Sequence, residues 1–341
     1  MLDPNRPNVL LDPPHWVRDE DRARLAGVVE LVDCVGPAPL DEAEFLRQAA
    51  ECVGLIKLGG RMPELTADLL KALPHLRIVG LRSDRFGTGI DIEAATELGI
   101  TVVDADNYAS AHPVAEWVLG LMLICLKNGG ALYRQMIAGT ETWARAHNDS
   151  FVSGELTERR VGLVGCGHVG QRLVELLAPF RVDLLVCDPY LPQETAQRLG
   201  IRRADLDTVI THAEILVIQT PLTPRTTGLI GARELALLPP GRILINCSRG
   251  KVLDQAALIE RLQRGDLIAG LDVFDPEPLP HPHPLRELPN VFLTPHTAWY
   301  APNAFHRYFQ LTALEFERYF SGQPLQFQLQ PRMLDIRHGR L

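Results

Sequence analysis

Three side chains far apart in the chain could together manage a proton-coupled hydride transfer. Arg249 sits in Ile245-Asn246-Cys247-Ser248-Arg249-Gly250, and Glu277 in Asp272-Val273-Phe274-Asp275-Pro276-Glu277-Pro278. His296 sits in Thr294-Pro295-His296-Thr297-Ala298-Trp299. Reducing a 2-oxo acid needs a cation for the substrate carboxylate and carbonyl oxygen, and arginine supplies a rigid two-pronged donor. The alkoxide forming at C2 needs a proton as hydride arrives, and histidine can give it near neutral pH. A carboxylate against the imidazole fixes its orientation and favours the charged ring. Each residue alone has a plainer meaning. A histidine after a strand is usually structural, an arginine before a glycine can cap a turn, and an acid in a proline-rich loop is usually solvated. A fold that brings all three to one edge is what makes them a candidate site.

A second constellation is a glycine loop. Gly165-Cys166-Gly167-His168-Val169-Gly170 follows the apolar run Val161–Val164 and opens a helical stretch, Gln171–Ala178. The next apolar run ends at Asp188, 18 residues beyond the last glycine. Strand, glycines, helix, strand and acid in that order form a dinucleotide-binding fingerprint. Gly165 suits the tight turn, Gly167 lets backbone approach a pyrophosphate, and Gly170 lets helix and strand pack closely. The helix start at His168 and Val169 offers free N–H groups and partial positive charge to phosphates. Asp188, followed by Pro189, would accept hydrogen bonds from adenosine ribose hydroxyls. No Arg or Lys follows it through Gln197, so a 2′-phosphate would meet a carboxylate without a local cation. NAD is therefore expected rather than NADP.

Elements must bring these residues together. In the first hundred residues Val9–Leu11, Val53–Leu58, Ile78–Leu81 and Ile100–Val103 have the pattern of strands. Asp41–Ala50, Pro63–Ala72 and Ile92–Leu98 have the pattern of helices, with Pro63 at a favourable first helical position. From Arg160 onward six apolar runs follow: Val161–Val164, Leu184–Cys187, Ile215–Gln219, Ile243–Asn246, Ile268–Asp272 and Val291–Thr294. Continuous apolar runs suit strands buried on both faces, and their alternation with helices predicts βαβ units and parallel sheets. In such sheets ligands bind outside the carboxyl ends of the strands. Arg249, Glu277 and His296 each lie just past one of those ends. Ser110 to Ile137 predicts one long helix, apolar nearly all round from Trp117 to Leu126, as a core or interface helix must be. Asn303–Phe320 predicts another, ended by Ser321-Gly322.

Composition narrows the class. The 341 residues are enough for about two domains. Acids outnumber bases 42 to 34, for a net charge of −8, which argues against a general nucleic-acid binder. The six cysteines are widely spread with no CxxC pair, so neither a disulfide framework nor a metal site is expected. Met1 to Pro14 lacks the charged and apolar regions of a signal peptide. The longest apolar run, Val114 to Leu126, is interrupted by Glu116 and is too short to span a bilayer. A cytoplasmic protein with no membrane partner is the expectation.

On these motifs the chain resembles the D-isomer-specific 2-hydroxyacid dehydrogenases. The resemblance rests on Gly154-Glu155-Leu156, the glycine loop, Asn246-Cys247-Ser248-Arg249-Gly250 with Asp254 and Ala257-Leu258, Asp272-Val273-Phe274 with Glu277-Pro278, and Thr294-Pro295-His296. It runs from about Val53 to about Phe320. It implies NAD-dependent hydride transfer at C2 of a small D-2-hydroxy or 2-oxo acid. Arg249 would bind substrate, and His296 would be the acid/base paired with Glu277. Asp272 would face the nicotinamide carboxamide, Thr220 and Pro221 would pass under the adenosine, and the Cys247 carbonyl would lie near the nicotinamide. Thr226 and Ser248 complete the cofactor set. The implied fold is α/β: two Rossmann/flavodoxin-like doubly wound parallel-sheet domains, the cofactor domain (110–299) inserted into a discontinuous substrate domain (1–109 and 300–341). The family implies a homodimer joined through the cofactor domains.

Within the family, His296-Thr297-Ala298-Trp299-Tyr300 is similar to the C-terminal-binding-protein branch, where an aromatic three residues after the histidine faces the substrate pocket. Trp299 either does this or packs between domains. The substrate-domain candidates are Leu58, Gly59, Arg82, Arg85 and Phe86. Family members carry a glycine-rich turn that binds the substrate carboxylate. Here the matching stretch is Arg82-Ser83-Asp84-Arg85-Phe86-Gly87, with Phe86 where a glycine is common. Two other functions share the resemblance: an NAD(H)-sensing corepressor-like scaffold, and a phosphite-type dehydrogenase.

Overall fold

A computed structural model describes residues 6–12, 17–83, 89–141 and 154–340. The chain divides into two compact units, Met1–Ser110 with Ala301–Leu341, and Ala111–Tyr300. Each unit is built on one parallel sheet.

The first unit holds β1 (Asn8–Asp12), β2 (Glu30–Asp33), β3 (Gly54–Lys57), β4 (Ile78–Leu81) and β5 (Thr101–Asp104), in the order β2-β1-β3-β4-β5. Alternate side chains go to opposite faces. Val9, Leu11, Ile56 and Ile78 pack under Phe309, Ala313 and Phe316 of the helix Pro302–Phe320. Leu10, Leu55, Val79 and Val102 pack on the other face with Phe45, Leu69 and Leu70. Gly54 and Gly80 allow the closeness of that long helix, because a Cβ at either would fall 2.9 Å from the Phe316 ring. One expectation is corrected here. The third helix begins at Ala67, four residues past Pro63, because the Thr66 side chain accepts the Leu69 N–H and caps it.

The second unit carries β6 (Arg160–Val164), β7 (Asp183–Cys187), β8 (Arg202–Arg203), β9 (Ile215–Ile218), β10 (Arg242–Asn246), β11 (Leu267–Leu271) and β12 (Val291–Leu293), in the order β12-β11-β10-β9-β6-β7-β8. The sheet has seven strands rather than six. The extra one, β8, is two exposed arginines paired to the edge of β7. The chain runs outward from β6 through β7 and β8, then returns to β9 on the other side of β6, so its direction of winding reverses between β6 and β9. Helices Ala111–Leu126 and His168–Leu177 cover one face. Helices Leu206–His212, Ala232–Leu237 and Gln255–Gln263 cover the other.

The long helix expected from Ser110 to Ile137 is two helices. Ala111–Leu126 ends, Asn128 turns left-handed with φ 49° and ψ 39°, and Gly129–Ala138 leaves at 66°. Asparagine tolerates that conformation better than most residues, and it lies in Lys127-Asn128-Gly129-Gly130, where no apolar side chain continues the helical pattern. Among the described residues no single helix is long and apolar enough to cross a membrane.

Candidate active site

The glycine loop leaves β6 at its carboxyl end, and each glycine meets a different constraint. Gly165 has φ +91°, and a Cβ there would fall 2.6 Å from the Gln219 carbonyl oxygen. Gly170 lies so near the loop that its Cβ would fall 2.8 Å from the Gly165 oxygen. Gly167 caps the helix His168–Leu177, and a Cβ on it would meet nothing within 4 Å. Open space at the start of a ten-residue helix, above backbone N–H groups, fits a dinucleotide pyrophosphate. Val169 faces the core and His168 is exposed. Asp188 braces the loop: its Oδ2 accepts the Cys166 N–H at 2.7 Å and its Oδ1 accepts the Tyr190 N–H at 2.8 Å. Pro189 beside it is exposed. β8 also brings a cation near that no local sequence pattern disclosed, with Arg203 Nη2 3.5 Å from the Asp188 carbonyl oxygen. Thr226 is spent on its own turn, donating to the Pro221 oxygen at 2.6 Å and accepting from the Thr223 N–H at 2.8 Å.

The reactive residues follow three neighbouring strands. After β10, buried Asn246 builds the turn that presents Arg249. Its Oδ1 accepts the Ser248 N–H and hydroxyl at 3.0 and 2.8 Å, and its Nδ2 donates to the Arg249 oxygen at 3.1 Å. Ser248 is thereby buried in the turn. Burial pushes the Cys247 thiol well above its ordinary value, so it stays protonated. Arg249 Nη1 donates to the Ser248 oxygen at 2.7 Å. Burial pushes its guanidinium down from its ordinary value, and the Glu277 carboxylate opposes that shift. Gly250 is where two loops touch: a Cβ there would fall 2.0 Å from the backbone C and O of Phe274, in the loop after β11. The Phe274 N–H in turn donates to Glu277 Oε1 at 2.9 Å. The other oxygen, Oε2, lies 2.7 Å from Nδ1 of His296, after β12. The pair is about one-third exposed and borders a cavity of about 650 Å³ that Phe274, Leu279, Arg286 and Leu293 also line.

His296 has φ 50°, the left-handed region that a non-glycine residue enters at a cost. Asp272, fully buried, holds it there. The Asp272 carbonyl oxygen accepts the His296 N–H at 2.8 Å. Its Oδ1 accepts the Thr294 hydroxyl at 2.5 Å and the Thr297 N–H at 3.0 Å, and its Oδ2 accepts the Ala298 N–H at 3.0 Å. The Trp299 indole N–H donates to the His296 oxygen at 3.0 Å while the ring packs on the core of this unit.

In the first unit, Arg82 lies 3.7 Å from Asp106 Oδ1 and its guanidinium sits over the rings of Phe305 and Tyr308, at 5.7 and 5.1 Å. Leu58 turns its side chain into the core. Gly59 leaves room for Asp12, whose Oδ1 would lie 2.4 Å from a Cβ at that position. Lys57 is the last residue of β3. Its Cε reaches to 3.9 Å from the Cβ position of Gly89, and burial pushes its ammonium down from its ordinary value against the pull of Asp12 and Glu64. Arg85 and Phe86 lie outside the described residues. Among the described residues no group of three His, Cys, Asp or Glu could hold a metal ion.

Residues 119–298 match the NAD binding domain of the D-isomer specific 2-hydroxyacid dehydrogenases. The chain belongs to that family. A D-3-phosphoglycerate dehydrogenase of Methanocaldococcus jannaschii is 35% identical over 262 residues, 75% of this chain and 48% of that protein. The chain thus spans about half the length of the phosphoglycerate dehydrogenases it matches. A glyoxylate/hydroxypyruvate reductase B of Yersinia pestis is 32% identical over 263 residues, 76% of this chain and 78% of that protein. The apo structure of Rhodotorula graminis D-mandelate dehydrogenase shares the fold, with TM-score 0.80 and 24% identity, covering 95% of this chain and 98% of that one. NAD is the cofactor of the matched domain.

Asp272 has both carboxylate oxygens hydrogen-bonded within the His296 loop and is 0% exposed, so it supports that loop. Trp299 braces the histidine backbone from within its own unit.

Proposed function

We propose that this chain transfers hydride between NAD and C2 of a small D-2-hydroxy or 2-oxo acid, with His296 as the acid/base. The observation that carries this is the His296–Glu277 pair at 2.7 Å, joined through Phe274 and Gly250 to the Arg249 turn on the sheet edge that bears the glycine loop. NADH, when bound, supplies the hydride. Glu277 on Nδ1 sets the tautomer and aim of the ring, which leaves Nε2 to hold the proton given to the C2 oxygen. The Arg249 fork binds the substrate carboxylate and draws charge toward that oxygen. In the oxidative direction His296 takes the proton back. The names of the relatives, acting on phosphoglycerate, glyoxylate and hydroxypyruvate, support a small and strongly polar substrate.

A panel of 2-oxo acids with NADH, followed by loss of NADH absorbance, tests the reaction. Turnover of at least one is expected, and none with NADH demonstrably bound refutes it. His296→Asn should lower kcat by roughly 10²–10⁴-fold with NADH affinity within about twofold. The exposed apolar side chains Leu123, Tyr133, Met136 and Ile137 on helices Ala111–Leu126 and Gly129–Ala138 support a homodimer through this unit. Sedimentation equilibrium at the monomer mass would refute it.

A further inference from the structure

The cavity beside His296 is larger than the reaction at C2 needs, and it has a cation in its wall. Its volume of about 650 Å³ falls within the range of about 300–1,000 Å³ that holds drug-sized ligands. A three-carbon oxo acid would leave most of it to water. Arg249 is not among the described residues that line it. An acid that gives its carboxylate to Arg249 and its C2 oxygen to His296 would therefore send the other end of its chain into this space. The walls beyond the His296–Glu277 pair include the apolar side chains of Phe274, Pro278, Leu279, Leu293 and Pro295, which suit carbon and not charge.

Arg286 breaks that apolar lining. It stands on the short helix Pro284–Glu287, whose Leu285 is fully buried in the core of this unit. Its Nε donates to the Pro280 oxygen at 2.8 Å and its Nη2 to the Leu279 oxygen at 2.7 Å. Two neutral carbonyls fix the plane of the guanidinium without cancelling its charge. Among the described residues no carboxylate pairs with it, and its Nη1 has no partner. Glu277, the acid that lines the same cavity, is taken up by the Phe274 N–H and the His296 ring. A guanidinium already held in one plane loses little freedom when it meets a planar or tetrahedral anion, so its charge is available for recognition.

We infer that Arg286 is a specificity-determining residue that recognises a second anionic group at the far end of the substrate, a carboxylate or a phosphonate-like group carried on an apolar chain that lies along Leu279 and Leu293. The inference rests on the hydride-transfer reading above and extends it from the reacting end of the substrate to the other end.

The test uses the full chain, NADH and pairs of 2-oxo acids of equal carbon number, one ending in a methyl group and the other in a carboxylate. 2-Oxopentanoate is compared with 2-oxoglutarate, and 2-oxohexanoate with 2-oxoadipate and with 5-phosphono-2-oxopentanoate. In wild type kcat/KM should be about tenfold or more higher for a dianionic member than for its methyl-ended partner, and the ratio should fall as salt rises. Whichever dianion gives the larger ratio names the terminus. Arg286→Met should bring the ratio to within about twofold of one, and Arg286→Lys, which keeps the charge without the fork, should keep part of it. A wild-type ratio below twofold for every pair overturns the inference. So does a ratio that survives in Arg286→Met while kcat/KM falls alike for both members of each pair, which would mark Arg286 as a clamp on the Leu279–Pro280 backbone. Arg286→Gln keeps a donor for those carbonyls and decides the matter if methionine does not fold. Wild-type protein that binds NADH and turns over none of the acids refutes the hydride-transfer reading itself, a result distinct from loss of the ratio.

Discussion

Asp272→Asn keeps the shape of a fully buried side chain while removing its charge and one acceptor. In the native loop one carboxylate oxygen takes the Thr294 hydroxyl and the Thr297 N–H, and the other takes the Ala298 N–H. An asparagine can aim its single oxygen at only one of these sides. If it stays with Thr294 and Thr297, its amide nitrogen confronts the buried Ala298 N–H, donor against donor. An orphaned buried donor costs about 1–3 kcal/mol, and the remaining bonds lose the strength that charge lent them. The loss should total about 2–4 kcal/mol. In a unit of 190 residues, Ala111–Tyr300, 1 kcal/mol moves Tm by roughly 2–4 °C, so Tm should fall by roughly 4–16 °C. The same loop holds His296 at φ 50° through the Asp272 carbonyl, and loosening it shifts Nε2. Because a misplacement of about 1 Å can cost about 10²-fold, kcat should fall about 10–100-fold. NADH affinity should stay within about twofold. Calorimetry, NADH titration and NADH consumption measure the three quantities. An unchanged Tm with a tenfold weaker Kd would refute the placement, because the carboxylate would then be serving the cofactor and not the loop.

Gly250→Ala sets a Cβ 2.0 Å from the Phe274 backbone, an overlap that no rotamer relieves. The Arg249 turn and the Glu277 loop must separate, so kcat is expected to fall more than about 10²-fold with a lowered Tm; near-native values of both would show that the loops do not meet there. Asp104 tests the first unit. Burial, against hydrogen bonds from Ser83 and the Asp106 N–H, raises its pKa from 3.8 to about 6. A folded value above the unfolded one contributes stability that is complete below about pH 4 and is lost as pH rises through 6. The stability of wild type relative to Asp104→Asn should therefore decline by up to about 3 kcal/mol between pH 4 and 7, measured by urea unfolding at each pH, and a difference that ignores pH contradicts it.

Strands buried on both faces were legible because parallel sheets demand continuous apolar runs, and β4, β6, β9, β10 and β11 all have them. The elements that escaped notice lack that signal. β2 is Glu-Leu-Val-Asp on a sheet edge, β8 is two exposed arginines, and the helix Asp19–Leu25 is mostly charged. The break at Asn128 did leave a signal, since Lys127-Asn128-Gly129-Gly130 carries no apolar side chain and asparagine tolerates a left-handed turn, but the apolar stretches on either side outweighed it. Thr66 shows local capping chemistry prevailing over a proline four residues away from the true start.

The site divides along the same line. Arg249, Glu277 and His296 could be picked out because reactive types past strand ends are informative before any side chain is placed. The contacts of Asp272 and Gly250 could not, because what these residues do depends on which backbone lies opposite. An aspartate at a strand end carries no sign of which backbone it will hold, and only the fold supplies its three partners in the His296 loop. A glycine after an arginine has the look of a flexible turn until Phe274 is found 2.0 Å from its missing Cβ. The motifs of this edge are therefore part chemistry and part scaffold. The scaffold residues set the distances, 2.7 Å between His296 and Glu277 above all, on which the reactive ones depend.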